Sequence, residues 1–124
     1  MKIKPYNKGG GFTLIEIMIV VSVIGLLAAV AIPNFVKSRD TAQLRSVINN
    51  LRVIESAKDQ WATETHKGTG DVTSLTLISD YLKGGTVQPV VGEDYTTNPI
   101  GTQAYAVCPT RLGTYAAGDQ ITAQ

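Results

Sequence analysis

The pattern of apolar and polar positions changes twice along this chain. From Ile17 to Val36 no residue is charged and nearly every position is apolar. About 20 helical residues at ~1.5 Å each span the roughly 30 Å hydrocarbon core of a bilayer. From Lys37 to Lys67 apolar residues recur every three or four positions, which predicts a helix with one apolar face. From Gly68 onward, short β-like runs alternate with turn residues.

Seven positions define the apolar stripe of the second segment. They are Leu44, Val47, Ile48, Leu51, Ile54, Ala57 and Trp61. Because no glycine or proline occurs from Lys37 to Lys67, the two segments predict one continuous helix of about 55 residues. Gly68 and Gly70 are expected to end it. The stripe needs a cover, which the C-terminal region is expected to supply.

The C-terminal region predicts a short helix followed by a small antiparallel sheet. Residues 75–82 suggest one or two amphipathic turns, stopped by Gly84 and Gly85. The β-like runs are Thr86–Val91, Tyr105–Cys108 and Gly113–Ala116, with a turn at Asn98–Gly101. The predicted fold class is therefore α+β. A long N-terminal helix, transmembrane in its first half and amphipathic in its second, packs against a sheet of two or three strands.

Three residues in or directly before the apolar segment suggest a function. An acidic residue at the centre of a membrane helix costs about 2.5 kcal/mol or more, so Glu16 indicates a functional site with a positively charged partner. Gly25 offers a small surface for close helix approach, or is tolerated filler. Pro33 lacks an amide N–H, so the helix is expected to bend or loosen there.

The N-terminal motif points to a known family. Met1 to Gly11 contains three lysines and no acidic residue, which places it on the cytoplasmic side. A basic leader, Gly11, Phe12 and then Glu16 resemble the type IV prepilin and type II secretion pseudopilin family, and Pro33 lies where that family has a proline. The resemblance implies that a prepilin peptidase cuts after Gly11 and methylates Phe12. It also implies that Glu16 pairs with the amine of a neighbouring copy during fibre assembly.

The resemblance implies a pilin-like structural subunit with four parts. These are a leader (1–11), a transmembrane assembly helix (12–36), its amphipathic continuation (37–67) and a C-terminal region (68–124). The implied partners are copies of itself, the prepilin peptidase, the lipid bilayer, an inner-membrane assembly platform and a cytoplasmic ATPase. The implied location is the bacterial cytoplasmic membrane, crossed once with the C-terminal region outside the cytoplasm, and then a periplasmic or surface fibre. In the fibre, the helix is expected to melt between Gly25 and Pro33.

Several alternatives stay open. The length of the chain and a single cysteine, Cys108, favour a pseudopilin over a type IV pilin for adhesion, motility or DNA uptake, since such pilins often contain a C-terminal disulfide. An ordinary signal peptide cut after Ala29-Val30-Ala31 would release a small secreted domain beginning near Ile32. A permanently anchored monomer would keep residues 1–11 and never enter a fibre.

Charge and composition argue against two other classes of protein. A net charge of +1 gives no basic footprint for nucleic acid. His66 is the only histidine, and no set of nucleophile, base and orienting residue is visible, so we expect no enzymatic activity.

The sequence suggests one cofactor, calcium. Asp94 and Asn98 are spaced like part of the calcium loop of major pseudopilins, although Thr96 and Thr97 replace the aromatic-glycine pair of that loop. The competing interpretation is an acidic turn, and calcium needs six to eight oxygen ligands. No other cofactor is expected. Cys108 is either a buried apolar thiol or a link to another molecule.

Overall fold

The computed structural model of the chain describes residues 1–5 and 9–123. Its elements are helix α1 (Leu14–Thr65), a 3-10 helix (Ser79–Tyr81) and strands β1 (Asp94–Thr96), β2 (Tyr105–Val107) and β3 (Gln120–Thr122). The chain forms two compact units, Met1–Val36 and Lys37–Gln124. The α+β class predicted from the sequence is confirmed. Residues 6–8 of the predicted leader lie outside the described residues.

The first unit is dominated by the apolar part of α1. The helix begins at Leu14 and runs without interruption through Pro33, where the sequence predicts a bend or a loosening. It is long and apolar enough to cross a membrane, and none of the residues in its apolar window is buried. This part of the chain therefore has no cover within the folded subunit.

In the second unit, α1 buries the predicted stripe. Val47, Leu51 and Ile54 have no exposed surface, Ala57 and Trp61 are also buried, and Leu44 and Ile48 are partly buried. Ala62 joins the same core. A helical period of about 3.6 residues places these positions on one side of the helix.

The sheet contributes the other side of this core. The strand order is β1-β2-β3, and both pairs are antiparallel. The register aligns Tyr95, Ala106 and Ile121 in one row across the strands. Ala106 and Ile121 are fully buried in the same cluster as the helix stripe. Alternation along each three-residue strand therefore turns the central residue toward the core.

Two predicted β runs are wrong. Thr86–Val91 forms no strand. Pro89 has no amide N–H, and the amides of Val90 and Val91 donate to the carboxylate of Glu93, so they are not available to a neighbouring strand.

The run Gly113–Ala116 is likewise not a strand. Gly113 and Thr114 form a tight turn between Leu112 and Tyr115, which pair only with each other. The residues that could have extended a strand are used to reverse the chain.

Strands β1 and β3 are found where the sequence pattern does not predict them. Both are short and mostly polar, with one inward side chain each. The strand predicted for Tyr105–Cys108 is present as Tyr105–Val107. The turn predicted at Asn98–Gly101 lies one residue later, since the Thr102 amide donates to the Pro99 carbonyl at 3.0 Å. The helical turns predicted for residues 75–82 reduce to a three-residue 3-10 helix, although Ile78 and Leu82 are buried as an amphipathic turn requires.

Candidate functional site

The bond between Gly11 and Phe12 lies in an exposed, non-helical stretch before α1. Residues 9–13 have no regular structure, and 86% of the surface of Phe12 is exposed. A Cβ atom built on any of Gly9, Gly10 or Gly11 would meet no heavy atom within 4 Å. The backbone here is therefore open to an approaching peptidase.

Thr13 and Glu16 form a capping box at the start of α1. Glu16 Oε2 accepts hydrogen bonds from the Thr13 amide at 2.7 Å and from the Thr13 hydroxyl at 2.8 Å. The Glu16 amide donates to Thr13 Oγ1 at 3.3 Å. This reciprocal pairing satisfies amides that have no partner within the helix. The Thr-x-x-Glu spacing is its sequence signature, although the assembly role predicted for Glu16 does not depend on it.

The box leaves part of the Glu16 carboxylate available. Both hydrogen bonds from Thr13 end on Oε2, and within the described part of the chain Oε1 accepts none. A cut between Gly11 and Phe12 keeps the Thr13 amide, so the box survives cleavage. The same cut creates an amine four residues before Glu16, which can pair with a carboxylate on its own or a neighbouring helix.

Glu16 also borders an open apolar groove of about 560 Å³. Its other lining residues are Phe12, Ile17, Ile19 and Val20. A second apolar helix seated in this groove would remove water from around the carboxylate. An ionised carboxylate in such surroundings needs a positive partner.

The two other predicted assembly residues lie on the same helix. A Cβ atom on Gly25 would meet nothing within 4 Å, so this position is open to a neighbouring helix. Pro33 lies inside the continuous helix and cannot donate a backbone hydrogen bond. Both residues belong to the first unit, as does Glu16.

The calcium candidates do not form a cluster in the structure. Asp94 is an exposed residue of β1, whereas Asn98 follows the strand with a positive φ of 52°. The Asn98 side-chain amide donates to the Gln103 carbonyl at 2.8 Å, and its backbone carbonyl accepts from Thr73. Among residues 1–5 and 9–123, no group of three or more His, Cys, Asp or Glu is arranged to hold a metal. Calcium binding stays a prediction.

The neighbouring carboxylate, Glu93, is buried and fully engaged. It accepts hydrogen bonds from the amides of Val90 and Val91 and from the hydroxyl of Tyr95, which in turn accepts from Asn50 at 2.9 Å. Burial opposes the ionisation of Glu93, but these hydrogen bonds outweigh it and hold its pKa below the usual range. Glu93 therefore ties the 90–91 loop to β1 and, through Tyr95 and Asn50, to α1.

A second buried polar cluster joins α1 to the loop before β2. Lys58 is 1% exposed, donates to the Thr102 carbonyl at 2.7 Å and pairs with Glu55 at 3.3 Å. Glu55 also accepts from the Ala104 amide. The helical spacing contains a signal for this burial, because Lys58 lies four residues after Ile54 and three before Trp61, on the apolar stripe.

Cys108 directly follows β2 and is buried, with 1% of its surface exposed. Burial raises the pKa of the Cys108 thiol, and the nearby charge of Glu93 raises it further. A thiol that is inaccessible and protonated reacts slowly. This location agrees with the buried-thiol interpretation rather than with a link to another molecule.

Residues 6–32 match the family described as the prokaryotic N-terminal methylation motif. The match covers the exposed Gly11–Phe12 bond, the capping box and the apolar helix up to Ile32. This chain carries a prepilin-type N-terminal segment.

Known relatives share about half of the chain. Over 65 residues the chain is 42% identical to the type IV major pilin protein PilA of Myxococcus xanthus, covering 52% of this chain and 30% of that protein. It is 33% identical over 60 residues to the type II secretion system core protein G of Escherichia coli, covering 48% of this chain and 41% of the relative. The corresponding protein of Pectobacterium carotovorum is 32% identical over 79 residues, which cover 64% and 49% of the two chains.

The chain therefore spans less than half the length of each of these relatives. No solved structure gives a significant match. The relatives agree with the resemblance seen in the sequence, and both predicted branches, pseudopilin and type IV pilin, occur among them.

Proposed function

We propose that this chain is a structural subunit, a pseudopilin, of a type II secretion pseudopilus. It is inserted in the cytoplasmic membrane by its apolar helix, cut after Gly11 by a prepilin peptidase, methylated at Phe12 and polymerised through α1. The observation that carries the proposal is the methylation motif at residues 6–32, with an unoccupied carboxylate oxygen of Glu16 beside an apolar groove. Several relatives named type II secretion system core protein G support the choice of system.

The proposed partners follow from this role. They are further copies of the chain, the peptidase, an assembly platform and a cytoplasmic ATPase, with the C-terminal region outside the cytoplasm. The apolar part of α1 has no cover within the subunit, so lipid before assembly and neighbouring helices after it would remove this surface from water. The chain is acted on by a peptidase and performs no catalysis of its own.

A type IV pilin is the second candidate, because the Myxococcus xanthus relative is a type IV major pilin. The two systems differ in the length and position of their fibres. Long surface fibres at native expression would favour the pilin, whereas their absence, with loss of protein export when the chain is removed, would favour the pseudopilin.

Processing is tested by the intact mass and the first residue of the protein recovered from membranes. We expect N-methylated Phe12 as the first residue. Gly11→Val should block the cut, because it places a branched side chain at the bond, and Gly9→Val is the matched control that should still be processed. A product starting near Ile32 would instead identify an ordinary signal peptide, and a chain retaining Met1 would identify a permanent anchor.

A further inference from the structure

A polar groove opens where the second unit begins. It has a volume of about 590 Å³ and is lined by Lys37, Asp40, Thr41, Arg111, Gly113 and Thr114. The first three residues lie on α1, and the last three belong to the segment between β2 and β3, in which Gly113 and Thr114 form a tight turn. The groove thus joins two segments that are distant in sequence but belong to one compact unit.

The turn that forms one wall is well anchored. Leu112 and Tyr115 exchange two backbone hydrogen bonds of 3.0 and 3.1 Å, and Leu112 is only 2% exposed. Gly113 has a φ of 60°, whereas Thr114 does not have a positive φ, as in a type II′ turn. A Cβ atom on Gly113 would lie 3.2 Å from Leu44 Cδ2, so the turn packs directly on the helix. The position of this wall is therefore fixed by the packing of the turn on the helix, and the polar side chains of the groove do not fix it.

The polar groups of the groove are available to a ligand. Within the part of the chain that the structure describes, the side chains of Lys37, Asp40 and Arg111 make no hydrogen bond or ion pair. The same holds for the amides of Gly113 and Thr114. The Thr41 hydroxyl donates to the Lys37 carbonyl at 2.9 Å and keeps its acceptor capacity. Two cations, two backbone amides and the Asp40 carboxylate therefore line the groove without a partner in the described chain.

The position of Lys37 in the chain suggests where the ligand comes from. Lys37 is the first charged residue after Glu16 and directly follows the apolar run that ends at Val36. If that run spans the bilayer, as the proposed function requires, Lys37 lies at the level of the outer headgroups. Lysine and arginine at such a boundary bind lipid phosphates.

We propose that this groove binds the headgroup of an anionic, hydroxylated phospholipid of the phosphatidylglycerol type. The phosphodiester accepts hydrogen bonds from Lys37 and Arg111, and from the amides of Gly113 and Thr114. The glycerol hydroxyls donate to Asp40 and Thr41. The side chains of Lys37, Arg111 and Asp40 together carry one positive charge. This charge complements the single negative charge of a phosphatidylglycerol headgroup better than it complements a zwitterionic headgroup.

The test uses the uncut full chain in nanodiscs of equimolar phosphatidylglycerol and phosphatidylcholine at low salt. Native mass spectrometry counts the lipid molecules that stay bound to the chain after its release from the nanodiscs. We expect the wild type to retain phosphatidylglycerol about fivefold over phosphatidylcholine, and Lys37→Gln with Arg111→Gln to abolish this preference. Arg45→Gln with Lys83→Gln, which changes two exposed cations outside the groove, is the matched control and should keep it.

Three results would overturn the proposal: no preference in the wild type, an equal loss in the control, or equal retention of phosphatidylethanolamine when that lipid replaces phosphatidylcholine in the nanodiscs. If inorganic phosphate raises the Tm in a Lys37- and Arg111-dependent way and phosphatidylglycerol is not preferred, the groove binds a free anion and no lipid. Melting followed by Trp61 fluorescence shows that each variant is folded. A chain that enters nanodiscs without a headgroup preference overturns only this inference, whereas a chain that fails to enter them contradicts the proposed function as well.

Discussion

The capping role of Glu16 and its proposed role in assembly are compatible at the level of single atoms. One carboxylate oxygen caps the first turn of α1 through Thr13, and the other accepts no hydrogen bond in the described chain. The cap orients the carboxylate at the start of the helix, where the helix dipole favours a negative charge. A cationic amine from a processed neighbour would then find the acceptor already positioned.

Glu16→Gln tests this arrangement. Glutamine can complete a capping box, so α1 should begin at the same residue and both insertion and cleavage should be normal. The negative charge is lost, and we expect incorporation into sheared fibres to fall by about tenfold or more, measured by immunoblot. Asp59→Asn, an exposed carboxylate later in α1, is the control that should assemble normally. Wild-type incorporation of the Glu16 variant would contradict the pairing role.

Glu93 is the residue whose role depends most on tertiary structure. The run from Glu93 to Asn98 resembles an acidic turn, and nothing in its spacing distinguishes Glu93 from Asp94. In the folded chain Glu93 is 2% exposed, whereas Asp94 is exposed. The difference arises because the amides of Val90 and Val91 converge on one of the two carboxylates.

Glu93→Gln should lower the free energy of unfolding by about 2 kcal/mol at neutral pH, because charged hydrogen bonds are replaced by neutral ones. The folded-state pKa of Glu93 is depressed, so its contribution is present above the unfolded-state value near 4.5 and is lost as the pH falls through the folded-state pKa. The difference between wild type and variant should therefore shrink below about pH 4.5. Thermal melts of the full chain in detergent at several pH values measure this difference in stability.

Asp94→Asn is the matched control for this melt, since it removes the adjacent, exposed carboxylate and should change little. A Glu93 variant whose deficit is the same at every pH would show that the hydrogen bonds do not depend on the charge.

At the scale of elements, the long helix is the part most readily predicted. Its apolar stripe depends only on spacing along one helix, and the structure buries Val47, Leu51 and Ile54 completely. The strands were harder to predict, because each has three residues and one inward side chain. An alternation with a period of two cannot be recognised in so short a segment. Residues of β1 and β3 become strands because they pair with β2, and their local sequence preference is not the cause.

Leu51→Ala should destabilise the second unit by about 3 kcal/mol, since it leaves a cavity between helix and sheet. Val53→Ala, two residues away on the exposed side, should change the free energy of unfolding by less than about 0.5 kcal/mol. Denaturant unfolding followed by Trp61 fluorescence compares the two. Equal effects would mean that the sheet does not cover the stripe.

At the scale of the whole molecule, the two units differ in whether their apolar side chains are buried. The second unit has its own apolar core, whereas the first exposes its large apolar side chains. In the proposed function, lipid and neighbouring copies surround the first unit, and its conformation can change when these surroundings change. In the proposed function, assembly replaces lipid by protein around the segment from Gly25 to Pro33.

We predict that this segment, a continuous helix in the isolated subunit, is partly extended in the fibre. The Ala29 carbonyl has no helical donor because Pro33 lacks an amide N–H, and Gly25 stabilises helix poorly. A cryo-EM map of the fibre should show helical density interrupted between these two residues. Unbroken helix through Ala29 in such a map would refute the prediction.

The apolar run, the charge just before it, the processing motif and the buried stripe all follow from the sequence alone. Each of these depends on residues close together in the chain, so helical geometry and the cost of an exposed apolar surface suffice to predict them. Tertiary structure decided which polar residues are buried, as at Lys58 and Glu93, and which short runs pair as strands. It also brought Lys37 and Arg111 to one groove. Contacts between distant segments determine these features, because the energy of a polar group depends on the partners that the fold supplies.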